Sequence, residues 1–121
     1  MKEKFLLTDG VFVTPTYGYT QPLYNAVDVS KYEKIDLHLV VTGMVSGGGL
    51  SGPAYVTVFT GDSRDANDIF FNLAAFPTIR GPQTTYKITN IRNHRRFIYW
   101  SVTASRWSDQ PPLFIIGTGY W

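Results

Sequence analysis

Short stretches in which apolar and polar residues alternate run through most of this chain. In the clearest one, Ile35, Leu37, Leu39 and Val41 alternate with Asp36, His38, Val40 and Thr42. Because successive side chains of a β-strand point to opposite faces, this pattern predicts a strand with one face on a core. Runs of the same kind predict further strands at 54–60, 69–76, 84–89, 96–104 and 113–117.

The first thirty residues carry turn signals rather than one long pattern. Asp9-Gly10 stands between two short apolar runs, 4–8 and 11–14. Since Asp-Gly tolerates the positive φ of a two-residue turn, these runs predict a hairpin over 4–14. Residues 14–24 combine prolines and a glycine with tyrosines, which predicts an extended arm lying over a surface. A short strand is predicted at 26–29.

Together these elements amount to about eight short strands, and no helical period of useful length accompanies them. Without helices to cover a parallel sheet, the pattern favours an all-β fold, an antiparallel two-sheet β-sandwich in which jelly-roll connections are one option. A closed β-barrel is the alternative. The 121 residues fit one domain, so a single β-sandwich domain over 1–121 is predicted.

Composition excludes several classes of protein. With 44% apolar and 17% charged residues, the chain is too hydrophobic for a disordered protein. Its formal charge of only +2 gives no reason to expect a nucleic-acid partner. There is no cysteine, so no disulfide or thiolate site is possible. No run approaches the roughly 18 apolar residues of a membrane span, and the N-terminal run is too short for an export signal, so no membrane partner is expected.

Candidate chemistry is sparse. His38 and His94 are the two histidines, and neither lies in a recognisable catalytic motif, so both are interpreted as solvated or locally hydrogen-bonded. The acidic stretch 61–68 offers oxygen atoms that calcium could use, but Arg64 lies among them, and turn-forming Asp and Asn side chains are the favoured interpretation. We therefore expect no catalytic residue, no metal site and no cofactor.

The aromatic residues, 16% of the chain, divide into two groups. Phe71, Trp100 and Phe114 are predicted to fill the core. The other group falls in loops, in the arm or in the last two residues, where it predicts a contact surface: Tyr17, Tyr19, Tyr24, Trp107, Tyr120 and Trp121. A basic cluster that includes Arg95 and Arg96 is interpreted as solvated loop charges or as ion pairs to an acidic protein partner, rather than as a platform for single-stranded nucleic acid.

Four segments carry a resemblance to a known group of proteins. They are Tyr32-Glu-Lys-Ile-Asp-Leu-His-Leu-Val-Val-Thr-Gly, Gly52-Pro-Ala-Tyr-Val-Thr-Val-Phe-Thr-Gly-Asp-Ser, Arg95-Arg-Phe-Ile-Tyr-Trp-Ser-Val-Thr and Pro112-Leu-Phe-Ile-Ile-Gly. Strands that end in Thr-Gly, alternate Val with Thr, or begin with Arg make this chain similar to small β-sandwich virion proteins of tailed phages and prophages. The resemblance covers residues 30–117 and leaves out the hairpin and the arm.

The resemblance implies a non-enzymatic structural protein, and it supplies no catalytic residues. The implied role is a capsid decoration or cement protein that binds the major capsid protein or other virion proteins, as a trimer or dimer on the particle. Such a protein is made in host cytoplasm and resides on the capsid surface of the virion. A head-tail or tail accessory protein is one alternative. A carbohydrate-binding module, which would stack sugars on the peripheral rings, is another.

Overall fold

The computed structural model describes residues 1–8, 19–41, 54–65, 67–77, 84–104 and 113–121. The strands within these ranges are β1 (Lys2–Leu6), β2 (Tyr19–Thr20), β3 (Val27–Asp28), β4 (Lys34–Val41), β5 (Ala54–Gly61), β6 (Phe70–Ala75), β7 (Thr84–Ile91), β8 (Phe97–Ala104) and β9 (Leu113–Tyr120). A single turn of 3-10 helix, Leu23–Asn25, links β2 to β3. The predicted strands from residue 26 onward are therefore present, with small changes at their ends.

The strands form two antiparallel sheets. Sheet A has the order β1-β9-β4-β7, and sheet B has the order β2-β8-β5-β6, with β3 also paired to β8. Every pair within them is antiparallel. The predicted two-sheet β-sandwich is confirmed, and the alternative of a closed barrel is wrong.

The pairing is nested along the chain. β1 pairs with β9, β2 and β3 with β8, β4 with β7, and β5 with β6. A long hairpin folded over on itself gives this order, which is the jelly-roll arrangement, with β2 and β3 as two short segments that pair with the same strand. The outermost pair joins the two ends of the chain, since Lys2 lies opposite Tyr120.

The core lies between the sheets and follows the predicted alternation in three strands. Ile35, Leu37 and Leu39 of β4 are fully buried. Val56 and Val58 of β5 face them from sheet B. On β8, Ile98, Trp100 and Val102 are buried in the core, which confirms Trp100 as a core residue, and Phe97 at the start of the strand is buried as well. A strand with one face on the core buries every second side chain, and these residues other than Phe97 follow that rule.

Phe71 was predicted to lie in the core, and this prediction is wrong. Its side chain is 48% exposed on β6, at the edge of sheet B, while Phe76 is buried instead. A register shift between β5 and β6, where Val58 pairs with Ala74 but Phe59 pairs with Asn72, changes the parity of the inward positions along β6. Phe71 lies opposite the buried Thr60, so its exposure goes with its place on the edge strand and not with a reversed face.

Phe114 was also predicted to lie in the core and does not. It lies opposite Val40, on the outer face of sheet A, where it is half-buried. Its neighbour Ile115 is fully buried in the core. Leu113–Ile116 is apolar at every position, so this stretch contains no alternation that could have assigned the two faces.

The N-terminal residues are part of the sandwich. β1 pairs with β9, and Leu7 is fully buried in the core. The second half of the predicted hairpin, 11–14, lies outside the described residues. Of the predicted arm, residues 19–24 are described, and Tyr19–Thr20 pairs with β8. Gln21 is buried and holds this segment between the two sheets, because its amide contacts Leu7, Asn25 and Trp100.

Candidate functional site

The outer face of sheet A holds a depression of about 370 Å³. We call it the lysine face. Its lining residues are Lys2, Glu3, Lys4, Asp36, His38, Lys87, Ile116, Thr118 and Tyr120. Its size lies at the lower end of the range of small-ligand sites.

The register of the strands explains why these residues meet. Asp36 and His38 alternate with the buried leucines of β4, so they point away from the core. His38 lies between Ile116 of β9 and Lys87 of β7. Lys4 lies opposite Thr118, at the β1 edge of the sheet. The lysine face therefore has amines along both edges and shorter side chains between them.

Asp36 is fixed at the centre of this face by a bulge. The register between β4 and β7 shifts between Ile35 and Leu37, and Asn90 adopts φ 61° there. Asparagine tolerates this left-handed conformation better than most residues. The Asn90 N–H donates to Asp36 Oδ1 at 2.9 Å, and the Tyr120 hydroxyl donates to Oδ2 at 2.9 Å. Both carboxylate oxygens are thus engaged within the protein.

Tyr120 is a nominated contact residue, and the structure shows how it is held. The hydrogen bond to Asp36 raises the pKa of its phenol, because the carboxylate stabilises the protonated form. The Lys34 ammonium lies 4.4 Å from the centre of its ring. One side of the ring is consequently occupied by a cation of the same sheet.

Trp121, another nominated residue, lies next to Tyr32, whose hydroxyl contacts Glu3 of the lysine face. Its side chain is 46% exposed, and its ring lies 6.0 Å from the Tyr32 ring. The Tyr32 hydroxyl donates to Glu3 Oε1 at 2.5 Å, and Lys31 forms an ion pair with the same oxygen. The hydrogen bonds from Lys31 and Tyr32 lower the pKa of Glu3. Burial and the contact with Glu3 raise the pKa of Tyr32 to about 12.

The nominated Arg95 and Arg96 immediately precede β8 and do not line the lysine face. Arg96 pairs with Asp28 at 3.3 Å and covers the Phe97 ring at 5.0 Å. Arg95 pairs with Asp62 at 3.5 Å, and its guanidinium lies 5.5 Å from the Phe71 ring. Acidic residues of this chain therefore already pair with both arginines.

The other nominated residues are Tyr24, Tyr19, Tyr17 and Trp107. Tyr24, in the 3-10 turn, is 76% exposed. Tyr19 is described only by its backbone, which pairs with Val102. Tyr17 and Trp107 lie outside the described residues. Among the described nominated residues, Tyr120 ends β9 and Trp121 follows it, whereas Tyr24 lies in the turn between β2 and β3.

Sequence reasoning missed the lysine face. His38 carried no motif, and Lys87 lies far in the sequence from Lys2 and Lys4. Strand order alone brings them together, and the sequence offers no local signal for it. His94, the second histidine, is half-buried, with Nε2 2.7 Å from the Tyr32 carbonyl oxygen, to which it donates its hydrogen.

The acidic stretch forms a turn that bonds to itself, as the favoured interpretation required. Ser63 Oγ donates to Asp68 Oδ2 at 2.7 Å, and the Asn67 N–H donates to Asp65 Oδ1 at 2.9 Å. Asp68 also accepts the N–H of Ile69 at 2.8 Å. Within the described ranges, no group of three or more His, Cys, Asp or Glu side chains could hold a metal ion.

Among the residues that the structure describes, no helix has the length and apolar character needed to span a membrane.

Neither the models of known protein families nor the characterised proteins contain a match to this sequence. Among solved structures, the chain is similar to the crystal structure of the Yersinia pseudotuberculosis-derived mitogen. The two share 6% identity, with a TM-score of 0.42, over 100% of this chain and 86% of that chain. A likeness at this level establishes neither a common fold nor a common function.

Proposed function

We propose that this domain is a non-enzymatic structural protein of a tailed-phage particle, a capsid decoration or cement protein that binds the major capsid protein. The observation that carries the proposal is the lysine face, a charged and open surface on a rigid sandwich. A surface of this kind suits attachment to another protein, because charged groups around an interface set its orientation and partner. The sequence resemblance supplies the class of particle.

The direction of the pKa shifts supports a binding role over catalysis. Hydrogen bonds lower the pKa of the carboxyls of Glu3, Asp28 and Asp68. Burial or a neighbouring carboxylate raises the pKa of the phenols of Tyr32, Tyr99 and Tyr120. Each shift keeps the group in its ordinary state at neutral pH, whereas general acid–base catalysis needs a pKa moved towards neutrality.

Attachment to particles tests the proposal directly. The purified protein would be mixed with particles assembled without it, sedimented, and imaged by electron microscopy. We expect saturable binding at symmetry-related positions, and mass measurement in solution should show a trimer or dimer. Density at the portal or tail alone would favour the head-tail or tail accessory role. Absence of binding at micromolar protein would contradict a particle role.

A carbohydrate-binding module is the second candidate, and the exposed rings of Tyr24 and Trp121 favour it. Aromatic side chains with an open face can stack on the apolar side of a sugar ring. A glycan array would test this. Binding that disappears in Trp121→Ala, with an unchanged unfolding transition, would support it over capsid attachment.

A further inference from the structure

The lysine face carries more positive charge than the chain neutralises. Lys2 and Lys4 lie on the edge strand β1, and Lys87 lies on β7 at the opposite edge. The ion pairs of the described residues involve Lys31, Arg92, Arg95 and Arg96, and none involves these three lysines.

The acidic residues of the same face offset only part of this charge. Glu3 is paired with Lys31, which lies outside the depression. Asp36 has both oxygens engaged by hydrogen bonds from Asn90 and Tyr120. Three lysine ammonium groups thus share this face with one carboxylate outside an ion pair. That carboxylate, Asp36, accepts hydrogen bonds from groups of its own sheet. The face is complementary to a ligand that carries several negative charges.

We propose that the lysine face binds an extended acidic segment of a partner protein, with carboxylates about four residues apart. This inference rests on the proposed function and names the surface that would make the contact. The amines of β1 and β7 are separated by three strand spacings, about 14 Å across the sheet. Four residues of an extended chain span about 13 Å. One segment crossing the sheet therefore places a carboxylate at each edge.

Other anionic polymers fit this face less well. A sugar would need an open aromatic face, but Lys34 already covers the ring of Tyr120. A nucleic acid would need many phosphate contacts and unstacked bases on exposed rings, and here Glu3 and Asp36 lie among only three amines. Thr118 and Ile116, on the floor between the edges, suit a polypeptide side chain instead.

A short peptide provides the direct test. The probe is a blocked, fluorescent Thr-Glu-Thr-Ser-Thr-Glu-Thr, with a glutamine version and a version with adjacent glutamates as controls. Anisotropy should show binding to the whole protein that weakens with added salt, because the ion pairs are partly screened. The variant Lys4→Gln/Lys87→Gln should bind about tenfold more weakly, since it loses two exposed ion pairs. Arg92→Gln/Arg95→Gln removes two charges elsewhere and should bind as the wild type does.

Several results would overturn the inference. They are equal binding of the glutamine peptide, unchanged binding by the lysine variant, and absence of binding altogether. Stronger competition by heparin oligosaccharides or single-stranded DNA would show that the ligand is a different class of polymer. Circular dichroism and urea unfolding of both double variants would show that each retains the fold.

The particle experiment separates this inference from the proposed function. If the wild type binds particles and Lys4→Gln/Lys87→Gln binds them equally well, the lysine face is not the contact, and the particle role remains. If the wild type binds the acidic peptide through its lysines but binds no particles, the particle role fails while the surface is correctly assigned.

Discussion

At the scale of single residues, Gln21 shows how much one buried polar side chain can organise. Its Nε2 donates to Leu7 O at 3.1 Å and to Asn25 O at 3.0 Å. Its Oε1 accepts the N–H of Trp100 at 3.3 Å. Leu7 follows the edge strand of sheet A, whereas Trp100 belongs to sheet B, so one amide group connects the two sheets.

Replacing this amide should destabilise the domain. Gln21→Met keeps the length of the side chain but leaves buried backbone groups without partners, at a cost of about 1–3 kcal/mol. Asn93→Ala, at an exposed loop position, should change the free energy of unfolding by less than about 0.5 kcal/mol. Urea unfolding of both variants measures the difference. Equal stability of the two would show that water replaces the lost contacts.

Tyr32 should make stability fall at alkaline pH. In the folded chain its pKa is about 12, whereas an unfolded tyrosine ionises near its ordinary value of about 10. Between these values the unfolded chain has released the proton and the folded chain still holds it, so stability decreases as pH rises, by at most about 1.4 kcal/mol per pH unit.

The control for this pH dependence is Tyr32→Phe, which keeps the stacked ring contact with Phe5 but has no proton to release. Chemical unfolding between pH 9 and pH 11 should show a steeper loss for the wild type than for the variant. Parallel slopes would mean that Tyr99 and Tyr120, whose pKa values are also raised, account for the whole effect.

At the scale of strands, the alternation of apolar and polar residues predicted which side chains face the core wherever a strand has one clear alternating pattern. In β4, β5 and β8 the predicted inward residues whose side chains are described are buried, and Thr60 of β5 and Phe97 of β8 are buried as well. In β9 the stretch Leu113–Ile116 is apolar at every position, so alternation could not assign Phe114 to a face. Phe71 keeps the inward register opposite Thr60 but stays exposed on the edge strand β6, and local sequence does not reveal which strand forms the edge.

Two glycines of β9 show a second feature that alternation does not reveal. Gly117 lies opposite Phe5, and a Cβ atom at this position would overlap the Phe5 ring. Gly119 stands in the same relation to the ring of Tyr32. The two rings are stacked, with centroids 5.6 Å apart. Each glycine therefore provides the space in which an aromatic ring lies flat against the sheet.

Gly117→Ala should consequently destabilise the domain by about 1–3 kcal/mol through overpacking. Combining it with Phe5→Ala should cost less than the sum of the two single changes, because the smaller side chain removes the overlap. Thr118→Ala, the next residue on the opposite face, is the control and should have a smaller effect. Additive losses in the urea unfolding of the double variant would show that the cost of Gly117→Ala does not come from overlap with the Phe5 ring.

At the scale of the whole molecule, strand order is what the sequence could not supply. The class of fold followed from local patterns, but the lysine face combines residues of β1, β4, β7 and β9, which only the nested pairing brings together. Pairings between distant segments follow from the packing of the entire sandwich. The same pairing makes the N-terminal strand structural, although its sequence pattern suggested only a local hairpin.

Removing the first eight residues should therefore abolish cooperative folding. The deletion takes away β1, uncovers the edge of β9 and empties the site of Leu7, which is fully buried. Leu7→Ala alone should cost about 2–5 kcal/mol, whereas Leu6→Ala, at a neighbouring position that is 48% exposed, should cost much less. Thermal unfolding followed by near-ultraviolet circular dichroism compares the three proteins. A deletion variant that kept a sharp transition near that of the wild type would mean that the sandwich is stable with β9 as its edge strand, and that β1 serves the lysine face alone.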